Sequence, residues 1–323
     1  MKHLKAKGLT EENIIKAFSC LKQALPAPLG IGDDASVIPI GKNKVMLLST
    51  DLLTQGIHFD PEFSSWSDVG YKSVVVNASD IFAMGAKPLY AWISISLPRD
   101  FGMKRLDMLK SGISNALLRY KMKLLGGDTT GSKSGVTICL TVAGFGKKNK
   151  IWLRSNAKSG DGIYITGPLG HAEAGLRLLS KNKKNLKSFG KLYKAHRRPE
   201  LGYVKSFGLI KKLPIHSATD LSDGLSRGLW NIAKSSKKKI IIDSDKILMD
   251  KELIKAAELL KVKPEELAIF GGEDYGLLMT GRFKENHMLK RIGQVAKGAP
   301  GVYIRESDGK LKVLADRAFN HFG

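Results

Sequence analysis

Six aspartates stand in short glycine-, serine- and threonine-rich settings: Asp34, Asp51, Asp80, Asp128, Asp220 and Asp223. Their contexts are Gly32-Asp33-Asp34, Ser49-Thr50-Asp51, Asn77-Ala78-Ser79-Asp80, Gly126-Gly127-Asp128-Thr129 and Asp220-Leu221-Ser222-Asp223-Gly224. In this 323-residue chain Lys and Arg outnumber Asp and Glu by 53 to 30, so acids repeated in this way suggest cation ligands rather than a solubilising surface. Two carboxylates about 4 Å apart repel by roughly 4 kcal/mol at an effective dielectric near 20. A cluster of six calls for a counter-ion, and carboxylate oxygens suit Mg2+, which is usually shared with waters and substrate phosphates.

Each motif alone is an ordinary turn, in which Asp caps a helix or bonds its own backbone. Asp223 could equally be a cap near a helix N-terminus. Together they point to phosphoryl transfer, where the protein mainly positions reactants and neutralises charge. Glycine lets backbone approach a phosphate closely, and nearby peptide N–H groups can donate to it. No Walker sequence, protein-kinase set or dinucleotide fingerprint occurs. Glycosidase chemistry would leave four of the six acids idle.

The elements that must carry these residues read as two α/β or α+β domains, residues 1–148 and 149–323, divided at the basic segment Lys147-Lys148-Asn149-Lys150. The first half reads as a helix from Thr10, strands over 35–40 and 45–49, a helix from Ser67 to Met84, and a strand over 89–97. A helix over 104–121, a short strand near Leu124 and a strand over 136–144 complete it. The 45–49 strand is expected to end just before Thr50 and Asp51, and Asn77 lies one turn before Asp80, able to orient it. The second half reads as strands over 163–166, 240–243 and 276–280. Its helices read over 167–179, 200–213, 224–233 and 251–260, residues 265–270 lead into Gly271-Gly272-Glu273-Asp274-Tyr275, and a terminal hairpin turns at Asp308-Gly309.

Apolar residues make up 43% of the chain, enough for a core, and no apolar run is long enough for a membrane span. The charged start Met1-Lys2-His3-Leu4-Lys5 is not followed by an apolar stretch, so no signal peptide is expected. Cys20 and Cys139 form neither a CxxC pair nor a zinc spacing and are expected to be reduced core thiols of a cytoplasmic protein. The formal charge is +23, and residues 181–215 hold eleven Lys or Arg against one acid, Glu200. That stretch could bind nucleic acid, but it lacks interleaved aromatics, and a solvated face or basic loop is the better reading.

Taken in order, the motifs closely resemble the thiamine-monophosphate kinase family, of the ATP-binding superfamily that includes aminoimidazole ribonucleotide and selenophosphate synthetases. The resemblance runs from Gly30 to Phe322. It rests on Gly-Ile-Gly-Asp-Asp-Ala, Ser-Thr-Asp-Leu-Leu-Thr-Gln-Gly-Ile-His-Phe, Asn-Ala-Ser-Asp-Ile-Phe-Ala-Met-Gly-Ala, Gly-Gly-Asp-Thr-Thr, Asp-Leu-Ser-Asp-Gly-Leu and Gly-Gly-Glu-Asp-Tyr. It implies direct in-line transfer of the ATP γ-phosphoryl to thiamine phosphate, the final step of thiamine diphosphate biosynthesis. It also implies a homodimer formed through the N-terminal sheet, with ATP near the junction. By motif, Asp34, Asp51, Asp80, Asp128 and Asp220 would hold Mg2+, with Ser49 and Thr50 supplementing them and Asp223 binding a further ion. Gly127, Asp128, Arg154 and Ser222 would contact ATP. His58, Glu273 and Phe319 match substrate positions.

Two positions depart from the family pattern: Gly276 replaces the usual Glu after Gly-Gly-Glu-Asp-Tyr, and Phe319 stands for a more common Tyr or Trp. Neither is a proposed metal ligand. Three alternatives remain open. A selenophosphate synthetase would want a reactive Cys in a flexible N-terminal segment, whereas Cys20 falls in a helix pattern. An aminoimidazole ribonucleotide synthetase would lack the Gly-Ile-His-Phe and Gly-Gly-Glu-Asp-Tyr combination. A basic nucleic-acid-binding protein would bind in a steeply salt-dependent way without ATP turnover.

Overall fold

The computed structural model describes residues 11–19, 21, 29–181 and 187–317. Phe319 and Cys20 lie outside the described residues. The first half runs α1 (Glu11–Ser19), β1 (Ser36–Pro39), β2 (Lys44–Thr54), α2 (Trp66–Ala83), β3 (Lys87–Pro98), α3 (Met103–Tyr120), β4 (Lys123–Ser132) and β5 (Thr137–Lys147). Its strands form one sheet in the order β1-β2-β5-β3-β4, antiparallel except where β3 meets β4. The second half runs β6 (Gly162–Ile165), α4 (His171–Ser180), α5 (Gly190–Arg197), α6 (Phe207–Ile210), β7 (Ile215–Asp220), α7 (Leu225–Ser236) and β8 (Lys239–Asp243). It continues through α8 (Lys251–Leu260), α9 (Pro264–Phe270), β9 (Leu277–Gly281), β10 (Lys290–Ala296), β11 (Gly301–Arg305) and β12 (Leu311–Val313). A mixed seven-stranded sheet, β12-β11-β8-β10-β6-β9-β7, joins these strands. The class is α+β, as expected. No helix among the described residues is long and apolar enough to cross a membrane.

Several boundaries differ from the sequence reading. The β2 strand continues past Ser49 because β5 pairs with it from Lys44↔Lys147 to Thr54↔Thr137. Thr50 and Asp51 therefore sit inside a strand, facing opposite sides of the sheet. In the same way β4 runs straight through Gly126-Gly127-Asp128, held by β3. Gly127 is needed for that pairing, since a Cβ there would lie 1.7 Å from the Ile93 carbonyl oxygen. The helix expected over 200–213 is broken into a 3-10 turn, Gly202–Ser206, and the single-turn α6. The break turns Tyr203 and Phe207 into the core beside Phe82. β7, β10 and α5 were not expected. The sequence of β10, Lys-Arg-Ile-Gly-Gln-Val-Ala, is a poor strand signal, and hydrogen bonds to β6 and β8 on either side hold it extended.

The α2 helix is the keystone for the site. Ser65 caps it, accepting from the Asp68 amide, two residues before the expected start at Ser67. Eleven consecutive positions would ordinarily alternate between core and solvent, yet Val69 to Ser79 are all buried. The reason is that α2 packs on α3, on β2 and β5, and on β7 of the second sheet. One core therefore joins Val74, Ile81 and Leu140 to Ala218, Met279 and Phe207, while a second core lies under α4, α7, α8 and α9. The basic stretch is partly engaged in packing: Arg198 lies 4.0 Å over the Tyr71 ring, and Lys194 pairs with Glu200 at 2.8 Å.

Candidate active site

Three acids from distant parts of the chain meet at the seam between the sheets. Asp34 precedes β1, Asp80 lies in the last turn of α2, and Asp220 ends β7. One carboxylate oxygen from each lies within 4.8 Å of the others. Hydroxyls aim them. Ser49 donates to Asp80 Oδ2 and lies 3.4 Å from Asn77 Oδ1, Ser79 donates to Asp220 Oδ2 at 2.7 Å, and Ser222 to its Oδ1 at 2.8 Å. Asp34 Oδ1 accepts from Arg154 and from Thr219 Oγ1, the latter at 2.7 Å. Its Oδ2 is buried without a hydrogen-bond partner.

The electrostatics match the crowding. Burial pushes the Asp220 carboxyl up to about 7, with the Asp34 charge adding to the rise. Burial, then Asp51, Asp220 and Asp34, raises Asp80 well above the carboxylate range. Neighbouring Asp33 is likewise pushed to about 7 by burial and Asp34. Burial disfavours the Arg154 cation, but Asp34 and Asp33 outweigh it and hold the guanidinium above its ordinary pKa.

Asp80 also lines a cavity of about 490 Å3, with Asp51, His58, Ser222, Asp223 and Glu273. Glu273 belongs to a tightly held segment. Glu273 and Tyr275 adopt φ of 65° and 48°, a left-handed conformation costly for residues with a Cβ. The Glu273 amide donates to the Ser222 carbonyl at 2.6 Å and the Tyr275 amide to the Leu221 carbonyl at 3.0 Å. Between them, Asp274 accepts from the Gly170 and Ala172 amides at 2.5 and 3.2 Å, anchoring the segment at the start of α4. Burial pushes Asp274 to about 7. Glu273 itself pairs with Lys72 Nζ at 2.6 Å and His196 Nδ1 at 3.0 Å. Burial works to raise its pKa, but Lys72 and His196 prevail and hold it near 2.

The fold thus brings together Asp34, Asp80, Asp220, Ser49 and Arg154 at one end, and Asp51, His58, Ser222, Asp223 and Glu273 along the cavity. It does not bring Thr50, Gly127 or Asp128 there within one chain. Thr50 bonds the Leu140 carbonyl at 3.2 Å and Thr141 Oγ1 at 3.1 Å on the outer sheet face. Asp128 shares the row Leu52–Cys139–Ser94–Asp128 on that same face, three strands from β2 and about 14 Å away at normal strand spacing. Arg154, expected on a nucleotide, is engaged with Asp34. Lys72, His196, Glu173, Arg177 and Arg317 also line or support the cavity and were not foreseen. Lys72 had a signal, a lone charge in the apolar run from Val69 to Val76, whereas His196 was hidden in the basic stretch. Gly276 has a packing reason: a Cβ there would lie 2.6 Å from the Thr166 carbonyl oxygen, not in the cavity.

Known proteins are similar to this chain in sequence and fold. Residues 32–147 match the family of AIR synthase related protein, N-terminal domain, and residues 158–305 match its C-terminal domain. The thiamine-monophosphate kinase of Buchnera aphidicola subsp. Schizaphis graminum is 36% identical over 309 residues, covering 91% of this chain and 92% of that protein. That of Aquifex aeolicus is 34% identical over 299 residues, covering 90% and 92%. The solved structure of AaThiL complexed with AMPPCP and TMP has a TM-score of 0.87 at 30% identity and covers 100% of both chains. With similarity of sequence and fold across nearly its full length, the chain belongs to the thiamine-monophosphate kinase family.

Proposed function

We infer that this chain transfers the γ-phosphoryl group of ATP to thiamine phosphate, giving thiamine diphosphate and ADP. The observation that carries the reading is the meeting of Asp34, Asp80 and Asp220 within 4.8 Å at one end of the cavity, in a chain whose relatives are thiamine-monophosphate kinases.

The donor set fits Mg2+. It is all oxygen, and the buried, unbonded Oδ2 of Asp34 is an acceptor in need of a cation. Asp34, Asp80 and Asp220 would hold the ion, Ser49 would orient Asp80, and we assign Asp51 and Asp223 to further ions along the cavity. When bound, Mg2+ offsets repulsion between two anionic reactants. The acceptor phosphate needs no dedicated general base, because a phosphate monoester with a second pKa near 6 is largely ionised at neutral pH. The chain's task is then to align acceptor oxygen and phosphorus in line. Ser222 and Arg154 are assigned to the nucleotide end, His58 and Glu273 to thiamine phosphate. The family assignment of Phe319 to substrate stays a proposal from sequence.

We further propose that the chain works as a homodimer in the cytoplasm. The outer face and free edge of the first sheet expose Leu52, Trp92, Leu124 and Leu125 at 52, 36, 46 and 54%, apolar area suited to a second copy. Thr50, Gly127 and Asp128 lie on that side of the sheet or along its free edge, which supports their serving ATP near the junction. In this reading residues 1–148 carry metal binding and pairing, and 149–323 complete the nucleotide and substrate site. The test is ADP formation from Mg-ATP with and without thiamine phosphate, together with detection of thiamine diphosphate. ADP release independent of thiamine phosphate would overturn the assignment.

A further inference from the structure

We propose that Lys72 is a positioning residue that fastens His58 and Glu273 into one wall of the substrate cavity. The inference rests on the reading of the site given above. Lys72 lies on α2 with its side chain 2% exposed, so its ammonium is almost wholly removed from water. A cation in that position is stable only if its donors are satisfied. Two of its contacts reach two separate segments: Glu273 Oε1 at 2.6 Å and the main-chain carbonyl of His58 at 3.1 Å. The second Glu273 oxygen is held by His196 Nδ1 at 3.0 Å. A carboxylate can only accept, so His196 donates from Nδ1.

This geometry explains two features. The left-handed Glu273 needs something to fix its side chain as well as its backbone, and Lys72 on a rigid buried helix does so. The His58 loop, outside any helix or strand, is tied to that helix by the same ammonium. Lys72 is largely neutralised by Glu273, so the pair offers the substrate a fixed accepting surface rather than a net charge. A hydrogen-bond donor on a heteroaromatic ring, such as an exocyclic amine, is the group such a surface selects.

The experiment is a cycle of Lys72→Met, Glu273→Gln and the double variant, reading KM for thiamine phosphate, kcat, and AMPPCP affinity. Removing a charged hydrogen bond at the substrate wall should raise KM on the order of 30-fold in each single variant. Saturating substrate should restore kcat to within about threefold, and AMPPCP affinity should be unchanged. The double variant should lie above Glu273→Gln, because the tie to the His58 carbonyl is lost as well, yet well below the product of the two single effects, because both singles disturb Glu273. It leaves no unpaired charge in that pair, and if Lys72→Met does not fold, a double-variant KM equal to that of Glu273→Gln would overturn the proposal. A Lys72→Met KM near that of wild type, or a double-variant KM equal to the product of the two single effects, would overturn the proposal. A wild-type protein that makes no thiamine diphosphate would instead overturn the reading of the site.

Discussion

Replacing Asp80 by Asn should separate stability from activity. With carboxylate oxygens up to 4.8 Å apart, each ionised pair in the triad costs about 3.5 kcal/mol at an effective dielectric near 20. Asp80 takes part in two of the three pairs, a nominal relief of about 7 kcal/mol. Most of it is not realised, because the cation-free cluster retains protons: Asp80 is raised well above its usual range and Asp220 to about 7. Asn is close to an isostere of protonated Asp and can still accept from Ser49. At pH 8.5 we therefore expect the cation-free variant to gain about 1–3 kcal/mol, or roughly 1.5–4.5 °C in Tm for a protein of this size. Wild type should then gain about 2.7 kcal/mol from Mg2+ at a hundred times its Kd, and the variant should gain little. Thermal melts with and without Mg2+, beside thiamine diphosphate formation, test both halves. A cation-free variant less stable than wild type, with an intact Mg2+ shift and normal turnover, would refute the cation role of the triad.

Other outcomes follow from the same geometry. Asp33, Asp220 and Asp274 have folded pKa values near 7, above the usual 3.8. The folded state then binds more protons than the unfolded one between about pH 4 and 7. Cation-free stability should fall as pH rises through that window, and saturating Mg2+ should flatten the fall; a flat melting profile without cation would contradict it. Mixing Asp51→Asn and Asp128→Asn chains should restore about a quarter of wild-type activity if Asp128 serves a partner's site, and none if it serves its own. Gly276→Ala should destabilise the fold by about 1–3 kcal/mol through overpacking, seen in denaturant melts, because its Cβ would meet the Thr166 carbonyl.

The ordered aspartates were legible because hard-cation chemistry restricts residue type and because glycine, serine and threonine mark places where backbone and hydroxyls must come close. The periodicity of α3, α8 and β8 and the Asp308-Gly309 turn were legible for local reasons as well. The length of β2, the strand state of β10 and the break at Gly202 were not, since ladder partners and core contacts from elsewhere in the chain decide them.

The sequence alone determined which side chains could hold a cation and which reaction they suit, because donor chemistry is a property of each residue. Only the tertiary structure decided which of them meet. Asp34, Asp80 and Asp220 converge because α2 touches both sheets, while alternation along a strand sends Asp51 inward and Thr50 outward, and Asp128 sits on that outer face three strand spacings away. The buried Lys72–Glu273–His196 cluster was beyond sequence reading for the same reason: its members are distant in the chain, and only packing removes them from water and makes them partners.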